Sequence, residues 1–177
     1  MSLLNKKCFN VMGSGNFLFL DRDGVINRKL EGRYVQDSSE FEFMPGAINA
    51  IAKLTKIFDR LLIVTNQQGI AKGIMTDEDL KTLHEYMQQQ LSAAGGKIDK
   101  IYYCPHLAND ACACRKPQPG MIEQAISDFP EIDVNQSFLI GDSDTDILAA
   151  EAMNINAIKV DDEYTLAVWC DELISVI

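Results

Sequence analysis

Residues 17–24 read FLFLDRDG, in which an apolar run of four residues stops at two aspartates separated by one arginine. Other apolar runs also end at polar or small residues: residues 61–64 before Thr65, residues 98–103 before Cys104, and residues 138–140 before Gly141-Asp142. A weaker run covers residues 156–160. Runs of this kind are typical of parallel strands that are buried on both faces. The sequence therefore predicts five strands.

Helical patterns lie between the predicted strands. Pro45 is predicted in the first turn of a helix whose apolar face runs from residue 48 to residue 58. A weak capping box of Thr76 and Asp79 begins a second helix, which ends at Gly95-Gly96, and two more helices are predicted over residues 120–129 and 145–153. This alternation predicts an α/β fold with one doubly wound parallel sheet. We assign residues 1–177 to a single domain with its core at about 17–160.

Composition excludes several classes of protein. The 177-residue chain carries 16 basic and 26 acidic residues, a net charge of −10, which disfavours nucleic-acid and anionic-membrane partners. No apolar run approaches the roughly 20 residues that span a bilayer, and residues 1–15 lack the apolar core of a signal peptide. The five cysteines are odd in number and partly clustered, which argues against a disulfide framework. We expect a cytoplasmic monomer that acts on a small molecule.

Polar side chains at the ends of the predicted strands indicate the chemistry. In sheets of this type, ligands bind beyond the carboxyl ends of the strands, where Asp21, Asp23, Thr65, Lys116 and Asp142 are expected to meet. Close carboxylates need a cation, and oxygen ligands suit Mg²⁺ together with a substrate phosphate. One aspartate can attack phosphorus while a second moves the proton, and Thr65 and Lys116 can hold the transferred phosphoryl group.

A second group of residues has the spacing of a metal site. Cys104, His106, Cys112 and Cys114 place four soft ligands within eleven residues, which fits a tetrahedral zinc site without an open position. Zinc would order a loop at residues 104–114 and so fix Lys116. The alternative is four buried or redox-idle side chains. We expect the zinc to be structural.

Several segments resemble a known family. The motif DRDGVIN at residues 21–27 resembles the nucleophile motif of the haloacid dehalogenase superfamily, and Thr65, Lys116 and Gly141-Asp142 resemble its other three motifs. The segments TNQQGIAKG, IYYCPH, CACRKPQPGM and GDSDTDILAA resemble the heptose bisphosphate phosphatases of lipopolysaccharide-precursor synthesis, whose close relatives are histidinol-phosphate phosphatases. The resemblance covers about residues 17–160.

The resemblance implies roles for individual residues. Asp21 would be the nucleophile and a Mg²⁺ ligand, Asp23 the acid/base with its carbonyl on Mg²⁺, and Asp142 the third protein ligand. Thr65 and Lys116 would stabilise the phosphoryl group. The residues implied to meet substrate are Tyr34, Asn66, Gln67, Gln68 and Arg115. The short loop at residues 27–34 stands where other members carry a large cap, so the cap is expected to be minimal.

Three departures bear on the substrate. Gln68, Lys72 and Ser143 stand where the heptose enzymes usually or often have serine, arginine and lysine. We expect hydrolysis of the C7 phosphate of a heptose 1,7-bisphosphate. The short zinc loop instead favours histidinol phosphate, and a non-catalytic zinc-stabilised binding module is the alternative of another class. His84 is expected to be a surface or packing residue, and Asp146 either to favour the start of its helix or to support the Mg²⁺ site from behind.

Overall fold

The computed structural model describes residues 14–177, so the prediction about a signal peptide falls mostly on residues outside the described part. Within these residues, five strands form one parallel sheet, and the apolar runs predict this number of strands. Their bounds are β1 Phe17–Leu20, β2 Arg60–Asn66, β3 Lys100–Cys104, β4 Phe138–Gly141 and β5 Asn156–Lys159. Their order in the sheet is β3-β2-β1-β4-β5.

Five helices of the described part accompany the sheet: α1 Ala47–Leu54, α2 Asp77–Ala93, α3 Gly120–Asp128, α4 Asp144–Ala152 and α5 Leu166–Val176. The capping box is confirmed, because the Asp79 carboxylate accepts from the Thr76 N–H at 2.8 Å while Thr76 Oγ1 accepts from the Asp79 N–H at 3.1 Å. Among the described residues, no helix has the length and apolar character needed to cross a membrane.

Two helix predictions were wrong in detail. Pro45 does not lie in the first turn of α1, because Gly46 precedes the helix with φ of 77°, a left-handed conformation that suits glycine and breaks a right-handed helix. Phe58 lies beyond the end of α1. Helix α5 was not predicted at all, although its Trp169 is fully buried against Phe58 and Phe138.

The core has two parts, one on each face of the sheet. Alternate residues of β1 point to opposite faces: Leu18 and Leu20 pack with α1, α2 and α5, whereas Phe17 and Phe19 pack with α3 and α4. All four side chains are fully buried. Helices on both faces explain why the strands are apolar without alternation.

The strand order places the site. From β1 the chain continues to β2 and β3 on one side of β1, and it then crosses to β4 and β5 on the other side. The direction in which strands are added to the sheet therefore reverses beside β1. Such a switch point forms a crevice at the carboxyl ends of the strands. Leu20 is aligned with Ile63 of β2 and Ile140 of β4, and the Asp21 N–H donates to the Ile140 carbonyl at 2.9 Å. The polar residues that follow these strands therefore converge.

Candidate active site

A pocket opens at this crevice and collects most of the residues that the sequence singled out. The loop at residues 27–34 forms one wall, the end of β2 another, and the segment before α3 a third. Its polar lining includes Asp21, Asp23, Lys29, Arg33, Tyr34, Thr65, Asn66, Gln68, Lys72, Arg115, Lys116, Asp142, Ser143, Thr145 and Asp146. Gln67 is not part of this lining.

Lys116 is buried against two carboxylates. Its Nζ lies 3.0 Å from Oδ1 of Asp21 and 2.5 Å from Oδ1 of Asp146, and it donates to the Val64 carbonyl at 2.6 Å. Asn66 fixes the backbone of Lys116 from both sides: its Oδ1 accepts from the Lys116 N–H, and its Nδ2 donates to the Lys116 carbonyl, each at 3.1 Å. The ammonium is thus held beside the predicted nucleophile.

Burial and charge set the protonation of this pair. Burial raises the pKa of Asp21 to about 6, and the Lys116 ammonium opposes that rise while Asp146 and Asp23 add to it. Burial alone would lower the pKa of Lys116, but the carboxylates of Asp21 and Asp146 outweigh it and raise that pKa. Lys116 therefore stays charged. Any further positive charge near Asp21, such as a bound cation, favours the ionised form of its carboxyl group, which is the form that a nucleophile requires.

Asp23 is held by three side chains. Nη2 of Arg22 lies 2.9 Å from both carboxylate oxygens, Asn27 Nδ2 donates to Oδ1 at 2.9 Å, and Gln67 Nε2 donates to Oδ2 at 2.9 Å. Burial would raise the pKa of Asp23, but Arg22 and these hydrogen bonds lower it on balance. The carboxyl group is therefore fixed in place within reach of the pocket.

Gln67 occupies a different position from the expected one. Its side chain is buried, and Nε2 also donates to Thr65 Oγ1 at 3.0 Å. A side chain that is turned toward Asp23 and Thr65 and is absent from the pocket lining does not fit direct contact with substrate. The structure instead gives it a supporting place between two residues expected to do chemistry.

The residues around Asp142 fit a divalent cation. Single carboxylate oxygens of Asp21, Asp142 and Asp146 all lie within 4.8 Å of one another. Oδ1 of Asp142 is buried and has no hydrogen-bond partner among residues 14–177. A Cβ at Gly24 would approach Asp142 Oδ2 to 2.5 Å, so glycine is needed for this close packing. Oxygen donors clustered in this way suit Mg²⁺. Asp146 is engaged elsewhere, since Lys116 contacts its Oδ1 and Ser143 donates to its Oδ2.

The four predicted zinc ligands also meet. Sγ of Cys104 lies 3.5 Å from His106 Nδ1 and 3.6 Å from Cys112 Sγ, while Sγ of Cys114 lies 3.2 Å from that Nδ1 and 3.5 Å from Cys112 Sγ. Zinc–sulfur bonds of about 2.3 Å give a tetrahedron with edges of about 3.8 Å, and the shorter zinc–nitrogen bond shortens the edges to histidine, so these distances fit one ion. The cysteines of the described part are not joined by disulfide bonds.

Some contacts of the site were missed by the sequence argument. The pairing of Arg22 with Asp23 could have been predicted, because an arginine between two aspartates at the end of an apolar strand has to be paired when it is buried. No such pattern indicated Lys29. It comes from the short loop, and its Nζ lies 2.6 Å from Oδ2 of Asp142.

The parallel sheet, with two aspartates at the end of its central strand and a buried lysine beside them, defines an α/β phosphatase of the haloacid dehalogenase type. The HAD-hydrolase-like family model matches residues 113–172. The chain is 42% identical over 130 residues to the D-glycero-alpha-D-manno-heptose-1,7-bisphosphate 7-phosphatase of Mycobacterium tuberculosis, covering 73% of this chain and 68% of that protein. It is 42% identical over 145 residues to the corresponding beta-heptose enzyme of Salmonella typhi, covering 78% and 76%.

Solved structures agree. A D,D-heptose 1,7-bisphosphate phosphatase from B. bronchiseptica, crystallised with magnesium and phosphate, superposes with a TM-score of 0.84 at 31% identity, covering 92% of this chain and 99% of that one. The chain belongs to the haloacid dehalogenase superfamily and, within it, to the heptose bisphosphate phosphatase family. It is a phosphoric monoester hydrolase, which excludes the non-catalytic module considered from the sequence.

Proposed function

We propose that this chain removes the C7 phosphate of a heptose 1,7-bisphosphate in a Mg²⁺-dependent reaction. The observation that carries the chemistry is the buried contact of Lys116 with Asp21, at the end of the central strand and beside Asp23. Similarity to phosphatases of both the alpha and the beta heptose bisphosphate supports the substrate class. A cytoplasmic monomer formed by one domain over residues 1–177 is the simplest arrangement for such an enzyme.

The reaction proceeds in two displacements at phosphorus. The Asp21 carboxylate attacks and forms an aspartyl-phosphate, while Asp23 gives a proton to the departing sugar oxygen. Asp23 has to enter this step protonated, against the lowering of its pKa by Arg22. Asp23 then takes a proton from water, which attacks the phosphorus and releases free phosphate and Asp21. Lys116 and the Thr65 hydroxyl hold the phosphoryl oxygens. Carboxylates of Asp21 and Asp142 and the backbone carbonyl of Asp23 would hold Mg²⁺, which neutralises charge when it is bound.

Two cations in the pocket suit a second anionic group. Neither Arg115 nor Lys72 has a carboxylate within 4.0 Å in the described part of the chain, unlike Lys29, Arg33 and Lys116. The Lys72 ammonium donates to the Tyr34 hydroxyl at 2.9 Å, and Arg115 Nη1 donates to the His106 carbonyl at 3.4 Å. A bisphosphate would supply the missing negative charge, and Asn66 and Gln68 also line the space that the sugar would occupy.

The zinc site has a structural part in this proposal. Cys104, His106, Cys112 and Cys114 would hold one zinc ion with no position left for substrate. Because Arg115 and Lys116 directly follow Cys114, an ordered loop presents both cations to the pocket. Zinc would therefore support binding and catalysis without touching the reacting atoms.

The decisive experiment compares two substrates. Purified protein with Mg²⁺ should release phosphate from a heptose 1,7-bisphosphate with a higher kcat/KM than from histidinol phosphate, and ³¹P NMR should show that the remaining phosphate is at C1. Asp21→Asn, made in parallel, should be folded and inactive, because it lacks the attacking carboxylate. Faster turnover of histidinol phosphate would refute the substrate assignment, and an active Asp21→Asn protein would refute the mechanism.

A further inference from the structure

A buried arginine connects the reaction centre to helix α2. Arg22 is 1% exposed, and its Nη2 contacts both carboxylate oxygens of Asp23 at 2.9 Å. Its Nη1 lies 3.2 Å from Nε2 of His84, in the second turn of α2. Nε of Arg22 has no hydrogen-bond partner in the described part of the chain. The guanidinium is therefore anchored by only two side chains there, Asp23 on one side and His84 on the other.

The chemistry of this contact fixes the state of His84. A guanidinium in a protein stays protonated and only donates, so Nε2 must accept and the ring proton must be on Nδ1. Burial and the Arg22 charge lower the pKa of His84 to about 3, and the ring is neutral at physiological pH. The sequence-based expectation of a packing histidine is thus too weak, because this histidine also accepts a hydrogen bond from a charged group.

The position of the ring is set by its neighbours. Tyr103 of β3 packs edge-on against His84, with ring centroids 6.4 Å apart and planes inclined by 66°. The Tyr103 hydroxyl donates to Asp77 in the first turn of α2 at 2.8 Å. These contacts join α2 to the edge strand and fix the direction in which Nε2 points. A leucine would fill the same space but would leave Nη1 of Arg22 without an acceptor.

We propose that His84 is a positioning residue for proton transfer: by holding Nη1 of Arg22, it keeps Nη2 aimed at Asp23 and keeps that carboxyl group in register with the leaving oxygen. The inference rests on the role given to Asp23 in the proposed reaction. His84 itself touches neither substrate nor the reacting atoms. Without the His84 acceptor the Arg22 guanidinium can rotate, and Asp23 can move with it. A misplaced Asp23 loses part of the 10²–10⁴-fold rate acceleration that general acid catalysis contributes.

The test uses leaving groups of different acidity. kcat/KM reports steps up to formation of the aspartyl-phosphate, in which a sugar alkoxide needs a proton from Asp23 but a nitrophenolate does not. His84→Leu should lower kcat/KM for the sugar phosphate about 10- to 100-fold, and for p-nitrophenyl phosphate less than about threefold. His84→Gln, whose amide oxygen can accept from Arg22 in place of Nε2, should stay within about threefold of wild type on both substrates.

Asp23→Asn provides the benchmark for this comparison. If Asp23→Asn shows the leaving-group-dependent loss and His84→Leu does not, His84 has no positioning role and this inference alone is overturned. Equal losses of His84→Leu on both substrates, or equal losses in the Gln and Leu variants, would show a merely structural role and overturn it as well. If Asp23→Asn shows no dependence on the leaving group, the proposed role of Asp23 fails and the inference falls with it. Should wild type reject the heptose bisphosphate, the same series on whichever alkyl phosphate it accepts still tests His84.

Discussion

Oδ1 of Asp146 lies 2.5 Å from Nζ of Lys116, and this contact joins the start of α4 to the lysine that lies beside Asp21. Asp146 is completely buried. It packs so closely on Gly141 that a Cβ there would lie 2.2 Å from the Asp146 Cβ. Glycine at the end of β4 is thus a condition for the ion pair, and the ion pair sets where the ammonium stands relative to Asp21.

Asp146→Asn should destabilise the protein and slow turnover. Removing one charge of a buried pair costs about 3–5 kcal/mol in comparable cases, and Asn keeps the size of the side chain, so we expect a loss near the lower figure. The matched control is Asp144→Asn on the same helix, whose partner Lys159 is 2.6 Å away but whose pair is largely in solvent. Little change is expected there, because exposed pairs contribute little. Urea unfolding of both variants decides the point, and similar losses would contradict it.

Loss of a zinc ligand should lower activity indirectly, by loosening the loop that leads to Lys116. Cys112→Ser should lower the zinc content well below one ion per chain and lower kcat, because Lys116 follows the loop that the metal orders. Cys170→Ala is the control: Cys170 is a buried free thiol beside α1, outside the cluster, and its loss should leave the zinc content unchanged. Elemental analysis of protein purified without chelators measures both. Full zinc occupancy in Cys112→Ser would remove that residue from the ligand set.

The pH dependence of stability should carry the signature of His84. Its pKa is about 3 in the folded chain, where Arg22 faces it and Tyr103 covers it, and 6.5 without these surroundings. The unfolded chain therefore binds a proton below pH 6.5 that the folded chain refuses until about pH 3, so stability falls as pH falls through this window. Between pH 7 and pH 5 the loss from this group is about 2 kcal/mol.

In His84→Gln, the free energy of unfolding should fall less between pH 7 and pH 5 than in wild type, since glutamine does not titrate. Urea unfolding of wild type and variant at pH 7 and pH 5 isolates the effect, because the other groups contribute equally to both proteins. A variant that loses as much stability as wild type over this interval would show that His84 is not buried in its neutral form.

The fold could be predicted largely from the strands, and the site from their ends. A strand buried on both faces needs a continuous apolar run, and a polar residue after it has one edge of the sheet to occupy, so Asp21, Thr65 and Asp142 converge by topology alone. Helix α5 escaped prediction because its pattern is apolar almost all round, which hides the period of a helix. The contact of Gln67 with Asp23 and that of Lys29 with Asp142 escaped prediction, because side-chain direction within a loop depends on tertiary contacts that no periodicity records.

Arg115 should carry the preference for a bisphosphate. Its guanidinium lines the pocket with no carboxylate partner in the described part, and a planar donor suits a phosphate. A charge-assisted contact of roughly 1.5–3 kcal/mol predicts that Arg115→Ala lowers kcat/KM for the bisphosphate about 10- to 100-fold, with a smaller loss for a small monophosphate. Lys72→Ala removes the same charge from the same pocket, and its loss should be smaller, because Lys72 is a point charge already engaged by the Tyr34 hydroxyl and ring.

The competing explanation is that Arg115 only balances the negative zinc cluster beside it, since three thiolates and one neutral histidine give a formal charge of −1 on the zinc complex. In that case Arg115→Ala would lower the stability and slow the bisphosphate and the monophosphate equally. Steady-state kinetics on both substrates, together with urea unfolding of the two alanine variants, separates the explanations. A selective loss with unchanged unfolding supports substrate contact, because a guanidinium at the rim contributes to the transition state only when the second phosphate is present.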